Sequence, residues 1–398
     1  MEVSDIYRYA LYSISTAAIL IGNMGIGGQL AAALLKVFGY SLFLPLVTSY
    51  NFFQSALLLT SIVVSLIASL YTIGYSSEKY RSNSLQLLMD GLNISIIATL
   101  SSRYLLEFIM FWLMSEIIGF LAISYDALLG IDARAMNSSL KYLIFSMIPT
   151  DIALFILLAV SNFENILTVT LYELNLDLAS SILTITALLG FMAKAAIVPL
   201  HFWLPDAHSM APAPISAVLS GIMVKMGIYG FTILSHFTID KNTAFSILFI
   251  FGSLAAVYGA LQAVHQSDIK RLLAYSTISN TGVLSMLIAF YIKSADPMFT
   301  HATLVFSVAH ALYKATLFTD SGVIELMTHE RNIANLGYIY RVAPLESFSA
   351  TLSILFIFGM PPAVGFLAKV LIFSALLHQI AKDWIYLLAI IIISIETS

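Results

Sequence analysis

There is no cysteine in this chain of 398 residues. Disulfides, cysteine-ligated iron–sulfur clusters and covalently attached haem are therefore excluded. Charge is also scarce. Asp and Glu number 22 and Lys and Arg 18, together 10% of the chain, and the net charge of −4 is small and says nothing about nucleic acid, which is not an expected partner. The sequence contains no glycine-rich phosphate loop, no histidine metal cluster and no nucleophile elbow. It therefore carries no visible means of redox or hydrolytic chemistry of its own, and neither a cofactor nor a metal is expected. The N-terminus lacks a basic stretch followed by a small-residue cleavage site, so no cleavable signal peptide is expected.

What the chain has is apolar length. It is 60% hydrophobic with a mean hydropathy of +0.93, whereas soluble domains carry about 25% charged residues. Leu42–Ser77, Asn242–Val264, Leu272–Ile292 and Ser347–Ala368 contain no Asp, Glu, Lys or Arg. Each supplies the roughly 20 residues that a bilayer-spanning helix needs. The alternative, one large soluble helical core, fits these lengths poorly. The expected fold is an all-α polytopic membrane protein with about twelve or thirteen transmembrane helices.

Residues 1–40 give one or two helices. Tyr9–Ile21 is short for a span, Gly22–Gly28 is a glycine-rich break, and Ala31–Tyr50 is apolar except for Lys36. The later spans run Phe52–Tyr75, Leu85–Leu100, Tyr104–Ile123, Leu140–Val160, Leu178–Leu200, Ile215–Leu234, Ala244–Val264, Leu272–Tyr291, Phe299–Val323, Leu345–Leu377 and Trp384–Ile395. With three spans before residue 78, one side of the membrane holds Lys79, Arg81, Arg134, Lys141, Lys270, Arg271, Arg331 and Arg341. The other holds only Arg103, Lys241, Lys293 and Lys382. The first side is expected to be cytoplasmic.

Gly190–Phe231 organises the rest. It is apolar but carries Lys194, then Pro199, Pro205, Pro212 and Pro214, then Lys225. Proline removes a backbone donor and clashes with the preceding turn, so the helix must break here. A lysine inside an apolar span is costly and marks a functional position by default. A second such segment is Gly359–Phe366, with Pro361 and Pro362 and with Lys369 just after. Transporters are often built from two inverted repeats whose matching helices are broken. That pattern divides the chain into N-terminal helices at 1–83, a first repeat at 84–235 and a second at 243–398.

Lys194, Pro199, His201, the run from Trp203 to His208, Ala211-Pro212, Ser216-Ala217 and Lys225 with Gly227 and Tyr229 resemble the antiporter-like membrane subunits of respiratory complex I, membrane-bound hydrogenases and Mrp-type sodium/proton antiporters. The resemblance covers roughly residues 40–395. It implies a proton- or cation-translocating (H⁺ or Na⁺) subunit of a larger complex in the cell membrane or another energy-transducing membrane. Its partners would be other antiporter-like subunits and quinone- or hydrogenase-module-type subunits. The chain ends Ile395-Glu396-Thr397-Ser398, whereas family members usually continue for one or more helices.

The resemblance also implies a line of ion-carrying residues: Glu116 and Asp151, Lys194, Lys225, His310 with Lys314, and Lys369. Glu116 stands four positions after Trp112, nearly on the same helix face, and would pair with Lys194. Asp151, after Pro149-Thr150, would share that lysine or else cap a kinked helix. Burial disfavours an ammonium and a nearby carboxylate stabilises it, so a lysine–acid pair makes both a switch and a relay. The alternative for both lysines is snorkelling to the interface. Ser220 stands where several relatives have a histidine, so a water there is expected to complete the relay. His310 and Lys314, at i and i+4, share a face; the alternative for His310 is a hydrogen-bonded core histidine. Asp268 is expected to cap the next helix, with Lys270-Arg271 at a cytoplasmic interface. Asp206 and His208 either shape the proline-rich break or admit protons. Two rivals remain: a subunit of a multi-subunit sodium/proton antiporter with no redox partner, and a non-pumping scaffold.

Overall fold

The computed structural model describes residues 3–24, 28–161 and 165–397. Helices form wherever the apolar runs are uninterrupted, because a helix satisfies every backbone donor and acceptor within its own segment. In order they are α1 (Val3–Asn23), α2 (Gly28–Ser41), α3 (Phe52–Lys79), α4 (Ser84–Leu100), α5 (Leu105–Ile123), α6 (Arg134–Val160), α7 (Ser181–Lys194), α8 (Trp203–Met210), α9 (Ala213–Leu234), α10 (Lys241–Val264), α11 (Ile269–Ser294), α12 (Pro297–Thr328), α13 (Pro344–Phe358), α14 (Val364–Gln379) and α15 (Ile385–Thr397). Among the described residues, seven helical stretches are long and apolar enough to cross a membrane, and five further apolar helices are shorter. The first segment is longer than Tyr9–Ile21. It extends to Val3 because Asp5 and Arg8, which bounded the apolar run, fold inward, and Arg8 binds Glu107 of α5 at 2.7 Å. The glycine-rich break at Gly22–Gly28 falls largely outside the described residues.

The starts of the long helices follow from capping side chains. Asn51, Asp240, Asp268 and Asp296 each accept a hydrogen bond from a backbone amide in the first turn of α3, α10, α11 and α12. Sheet, among the described residues, is confined to Asp177–Leu178 (β1) pairing in parallel with Thr238–Ile239 (β2), a clasp between the loops that precede α7 and α10.

Two helices form the centre. α9 is almost wholly buried and α11 nearly so. Close approach of backbones makes this possible. A Cβ at Gly282 would lie 2.5 Å from Ala256 N, and one at Gly259 2.5 Å from Ser279 N. α10 and α11 therefore meet through small residues, as membrane helices do when packing rather than hydrophobic exclusion holds them. α1, α2, α5, α10, α13 and α14 turn large apolar side chains outward.

Both proline-rich segments interrupt their helices. α7 stops at Lys194, Ala196 takes a left-handed conformation (φ 54°), and helix resumes only at Trp203. α13 stops at Phe358, Gly359 is left-handed (φ 69°), and α14 begins at Val364. The first break is buried at Ala195, Ala196, Ile197 and His201 but exposes Pro199 and Phe202, and the second is exposed at Met360, Pro361 and Pro362. Within α6 and α9 the hydrogen bonding widens for one turn into π-helix, at Leu143–Met147 and Leu219–Met223. Such π-turns are frequent at functional sites.

Candidate functional site

Lys194 is the last residue of α7. Ala193 O accepts from Ala196 N at 3.1 Å and from Trp203 Nε1 at 2.9 Å, and Ile197 N reaches Met192 O at 2.9 Å. The lysine side chain turns inward. Its Nζ lies 3.1 Å from Glu116 Oε1 and donates to Tyr142 OH at 2.9 Å. Lysine and glutamate are both fully buried. The ammonium also faces the rings of Tyr142 and Trp112, at 5.2 and 5.7 Å, where ring quadrupoles attract a cation. Glu116 Oε1 also accepts from Trp112 Nε1 at 3.1 Å. The displacement of the acid to four positions after Trp112 thus places it on its own tryptophan and on Lys194 together. Asp151 of α6 lies within side-chain hydrogen-bond reach of the Glu116 carboxyl. One cluster therefore gathers Glu116, Asp151, Lys194 and Tyr142. Tyr142 immediately precedes the π-turn of α6.

A second cluster stands on α9, α11 and α12. Lys225 Nζ donates to Ser220 O at 2.6 Å and makes a short contact with His310 Nδ1. Ser220 O is accessible to the ammonium because the π-turn spans residues 219–223. The Ser220 hydroxyl pairs with Thr277 Oγ1 at 2.8 Å. Beside Ser220, an imidazole from α12 meets Lys225 directly. Lys314, one turn further along α12, donates to Leu273 O at 2.9 Å and to Ser276 Oγ. His310 Nε2 is buried without a hydrogen-bond partner. Lys225 is 2% exposed, and His310 and Lys314 are fully buried, so snorkelling to an interface does not occur.

The remaining expected position stands apart. Lys369 Nζ donates to Phe358 O at 2.9 Å across the second break, capping the end of α13 much as Trp203 caps α7. Methionines lie between the first two clusters. Met223 touches Tyr142 and would meet a Cβ at Gly119, and Met226 touches the Ser115 hydroxyl. The expected single row of Lys194, Lys225, Lys314 and Lys369 is therefore two clusters with a methionine-lined gap, plus one outer lysine.

Sequence reasoning missed Tyr142, whose hydroxyl completes the Lys194 site. It also missed a buried pair formed by Lys36 with Asp90, 2.6 Å apart and both fully buried. Tyr40, Ser69 and Lys36 all donate to the Asp90 carboxylate, which closes that network. The available signal was one ionisable residue of each sign inside neighbouring apolar segments. Asp268 caps α11 as expected and also binds Arg331 at 2.7 Å. Lys270 is 2% exposed, with Nζ turned to Ala211 O, and it pairs with Glu325 of α12. Asp206 bridges Lys141 and Arg271, drawing α8 onto the starts of α6 and α11. Among the described residues no group of three or more His, Cys, Asp or Glu could hold a metal ion.

Comparisons with known proteins bear on this geometry. The sequence profile of the family described as "NADH:quinone oxidoreductase/Mrp antiporter, TM" matches residues 103–396. A Na(+)/H(+) antiporter subunit of Alkalihalophilus pseudofirmus is 31% identical over 342 residues, covering 81% of this chain and 42% of that protein. "Hydrogenase-4 component B" of Escherichia coli is 29% identical over 330 residues, 77% of this chain and 48% of that one. An NADH-quinone oxidoreductase subunit of Pelobacter propionicus is 29% identical over 252 residues, 62% of this chain and 52% of that one. This chain thus spans about half, or less, of the length of these relatives. Among solved structures, a chain of the Mrp complex from Dietzia sp. superposes with a TM-score of 0.84 at 22% identity, over 99% of this chain and 45% of that one. A chain of an archaeal membrane-bound sulfane sulfur reductase gives 0.77 at 19% identity, over 97% and 85%. At these identities the structural matches speak for the fold.

Proposed function

Because the chain belongs to the NADH:quinone oxidoreductase/Mrp antiporter transmembrane family, we propose that it is an ion-translocating subunit of a larger membrane complex, moving protons in exchange with, or in place of, another cation. One observation carries the reading. Three lysines in the membrane-spanning bundle, Lys194, Lys225 and Lys314, are sequestered from solvent, and each is held by groups that could pass or trap a proton. An ammonium at such depth is costly. Lys194 meets that cost with the Glu116 carboxylate, and Lys225 shares its site with the His310 imidazole.

The chemistry follows from the contacts. While Glu116 holds Lys194, the pair is closed and the proton is trapped. Separation of the two removes the countercharge and releases a proton toward the next base. In the second cluster that base is His310, which exchanges protons with Lys225 on one side of its ring and with Lys314 beyond. Transfer between neighbours needs hydrogen-bond contact or a short water chain. The methionine-lined gap must therefore hydrate when the first pair opens, which makes the opening a gate. Lys369 is the outermost member of the line.

The names of the matched relatives support either of two settings. One is a respiratory redox complex with quinone- or hydrogenase-module partners, in the cytoplasmic or another energy-transducing membrane. The other is a multi-subunit sodium/proton antiporter with no redox partner. The division into residues 1–83 and inverted repeats at 84–235 and 243–398 belongs to the same proposal. Its support is a broken helix with a lysine at or near the break in each half. Co-purifying subunits separate the two settings. The test of translocation itself is Lys194→Ala in the assembled complex. Loss of ion transport with intact assembly is expected, whereas undiminished transport would leave the chain a scaffold.

A further inference from the structure

The central cluster needs a supply of protons, and the translocation reading does not say from where. On the face rich in Lys and Arg, a cavity of about 540 Å³ is lined by Lys79, Glu325, His329, Glu330 and Arg331. Glu325 is its innermost acid. It lies 3.5 Å from Lys79 and 3.0 Å from the buried Lys270, the latter a through-space ion pair rather than an aligned hydrogen bond. Glu325 and Lys314 are on the same helix, α12, eleven residues apart. At 1.5 Å per residue that is about 16 Å along the helix axis. Direct transfer needs about 3 Å, or one water more, so the interval requires intermediate carriers.

Asp320 and His208 both stand at the intermediate level, and Asp320 faces Ser349 and Glu346 of α13. His208, from α8, stacks on Phe318 of α12 with ring centroids 4.5 Å apart and planes 20° apart. Phe318 lies four residues from Lys314 and seven from Glu325. His208 is fully buried, and neither Nδ1 nor Nε2 has a hydrogen-bond partner. A buried imidazole that serves packing alone normally has at least one nitrogen satisfied. Lys270 reaches toward it from the cavity side, with Nζ 3.4 Å from Ala211 O, three residues beyond His208. Lys314, Lys270 and Lys225 all act on the ring electrostatically, so it sits among the cations it would connect.

We propose that His208 is the proton-uptake relay that joins the Glu325–Lys270 cavity to the Lys314–His310–Lys225 cluster. The inference rests on the translocation reading and extends it to the source of the proton. A water in the cavity delivers a proton through Glu325 to Lys270. An N–H bond then breaks on Lys270 as one forms on a nitrogen of His208. The opposite ring nitrogen loses its proton to a base in the cluster, so each bond formed is matched by one broken. The ring is left as the other tautomer and is reset by reorientation.

The test uses the assembled complex in proteoliposomes, with proton uptake from the cavity side measured beside the driving reaction. His208→Phe keeps a ring on Phe318 and removes both nitrogens. Uptake is expected to fall at least about tenfold, somewhat less than the full contribution of a positioned acid–base group, with assembly and amide protection unchanged. Uptake at the wild-type rate in an assembled His208→Phe complex overturns the relay. If that complex does not assemble, Glu325→Gln decides in its place: slowed uptake supports the route, and an unchanged rate overturns it. Lys225→Ala, run in the same preparation, separates the two ideas. Lost transport in Lys225→Ala beside wild-type transport in His208→Phe defeats only the relay, whereas wild-type transport in both defeats the translocation reading as well.

Discussion

Replacing Glu116 by Gln tests the closed state of the first cluster. Glutamine keeps the shape and an oxygen for Trp112 Nε1, but it removes the carboxylate charge within ion-pair distance of Lys194. At 3.1 Å and an effective dielectric constant of about 20, the lost attraction is about 5 kcal/mol. Removing one partner of a buried pair typically costs about 3–5 kcal/mol, while replacing both by apolar groups is often close to neutral. Glu116→Gln should therefore destabilise the complex strongly, and Glu116→Gln with Lys194→Met should recover most of the loss. Unfolding of the assembled complex in mixed micelles, arranged as a double-mutant cycle, reads the coupling. About 3 kcal/mol or more is expected. Asp151 also acts on Lys194, so the coupling should grow when the cycle is repeated with Asp151→Asn. Simple additivity of the two substitutions in both backgrounds would refute the pair.

Three further outcomes follow from single sites. Tyr142→Phe removes the hydroxyl 2.9 Å from Lys194 Nζ and should cost about 1.5–3 kcal/mol, with transport slowed and assembly retained; a variant of wild-type stability and rate would contradict the assignment. A Cβ at Gly190 would lie 2.3 Å from Ala153 Cβ and 2.7 Å from Pro149 O, whereas one at Gly74 would meet nothing within 4 Å. Gly190→Ala should thus destabilise by about 1–3 kcal/mol and Gly74→Ala should be neutral or stabilising by up to about 1 kcal/mol, an order that thermal unfolding of the complex would reverse if the packing is wrong. Asp240, outside the spans, is held down to about 2 by hydrogen bonds from Ser181 and Thr243. Its folded value lies below the ordinary carboxylate range, so its tether is present above that range and lost only as pH falls through about 2. Amide protection at residues 240–244, corrected for intrinsic exchange, should be alike at about pH 7 and about pH 4, and its collapse at the lower value would contradict this.

The spans were legible because apolar length is a composition signal, and the two breaks were legible because proline and glycine act locally. The pairing of Glu116 with Lys194 was legible through the family resemblance, with the acid displaced by about one helical turn from its usual place beside the tryptophan. What escaped depends on contacts between distant segments. Tyr142 has no pattern that points to Lys194, and the contact of Lys225 with His310 joins residues 85 apart in sequence. The burial of Lys270 against Glu325 is also a tertiary property. The π-turns in α6 and α9 likewise have no sequence signature of their own, yet one follows Tyr142 and the other delivers Ser220 O to Lys225.

The most direct measurement is ion transport by Lys225→Ala in the assembled complex, recorded separately from the reaction or gradient that drives it. Lys225 stands between Ser220 O and His310, and among the described residues it forms no ion pair with a carboxylate. Its removal therefore takes away a proton carrier without stranding a buried anion. The account predicts an intact complex in which the driving reaction is uncoupled or stalled and transport is lost. Wild-type transport in that complex would contradict it.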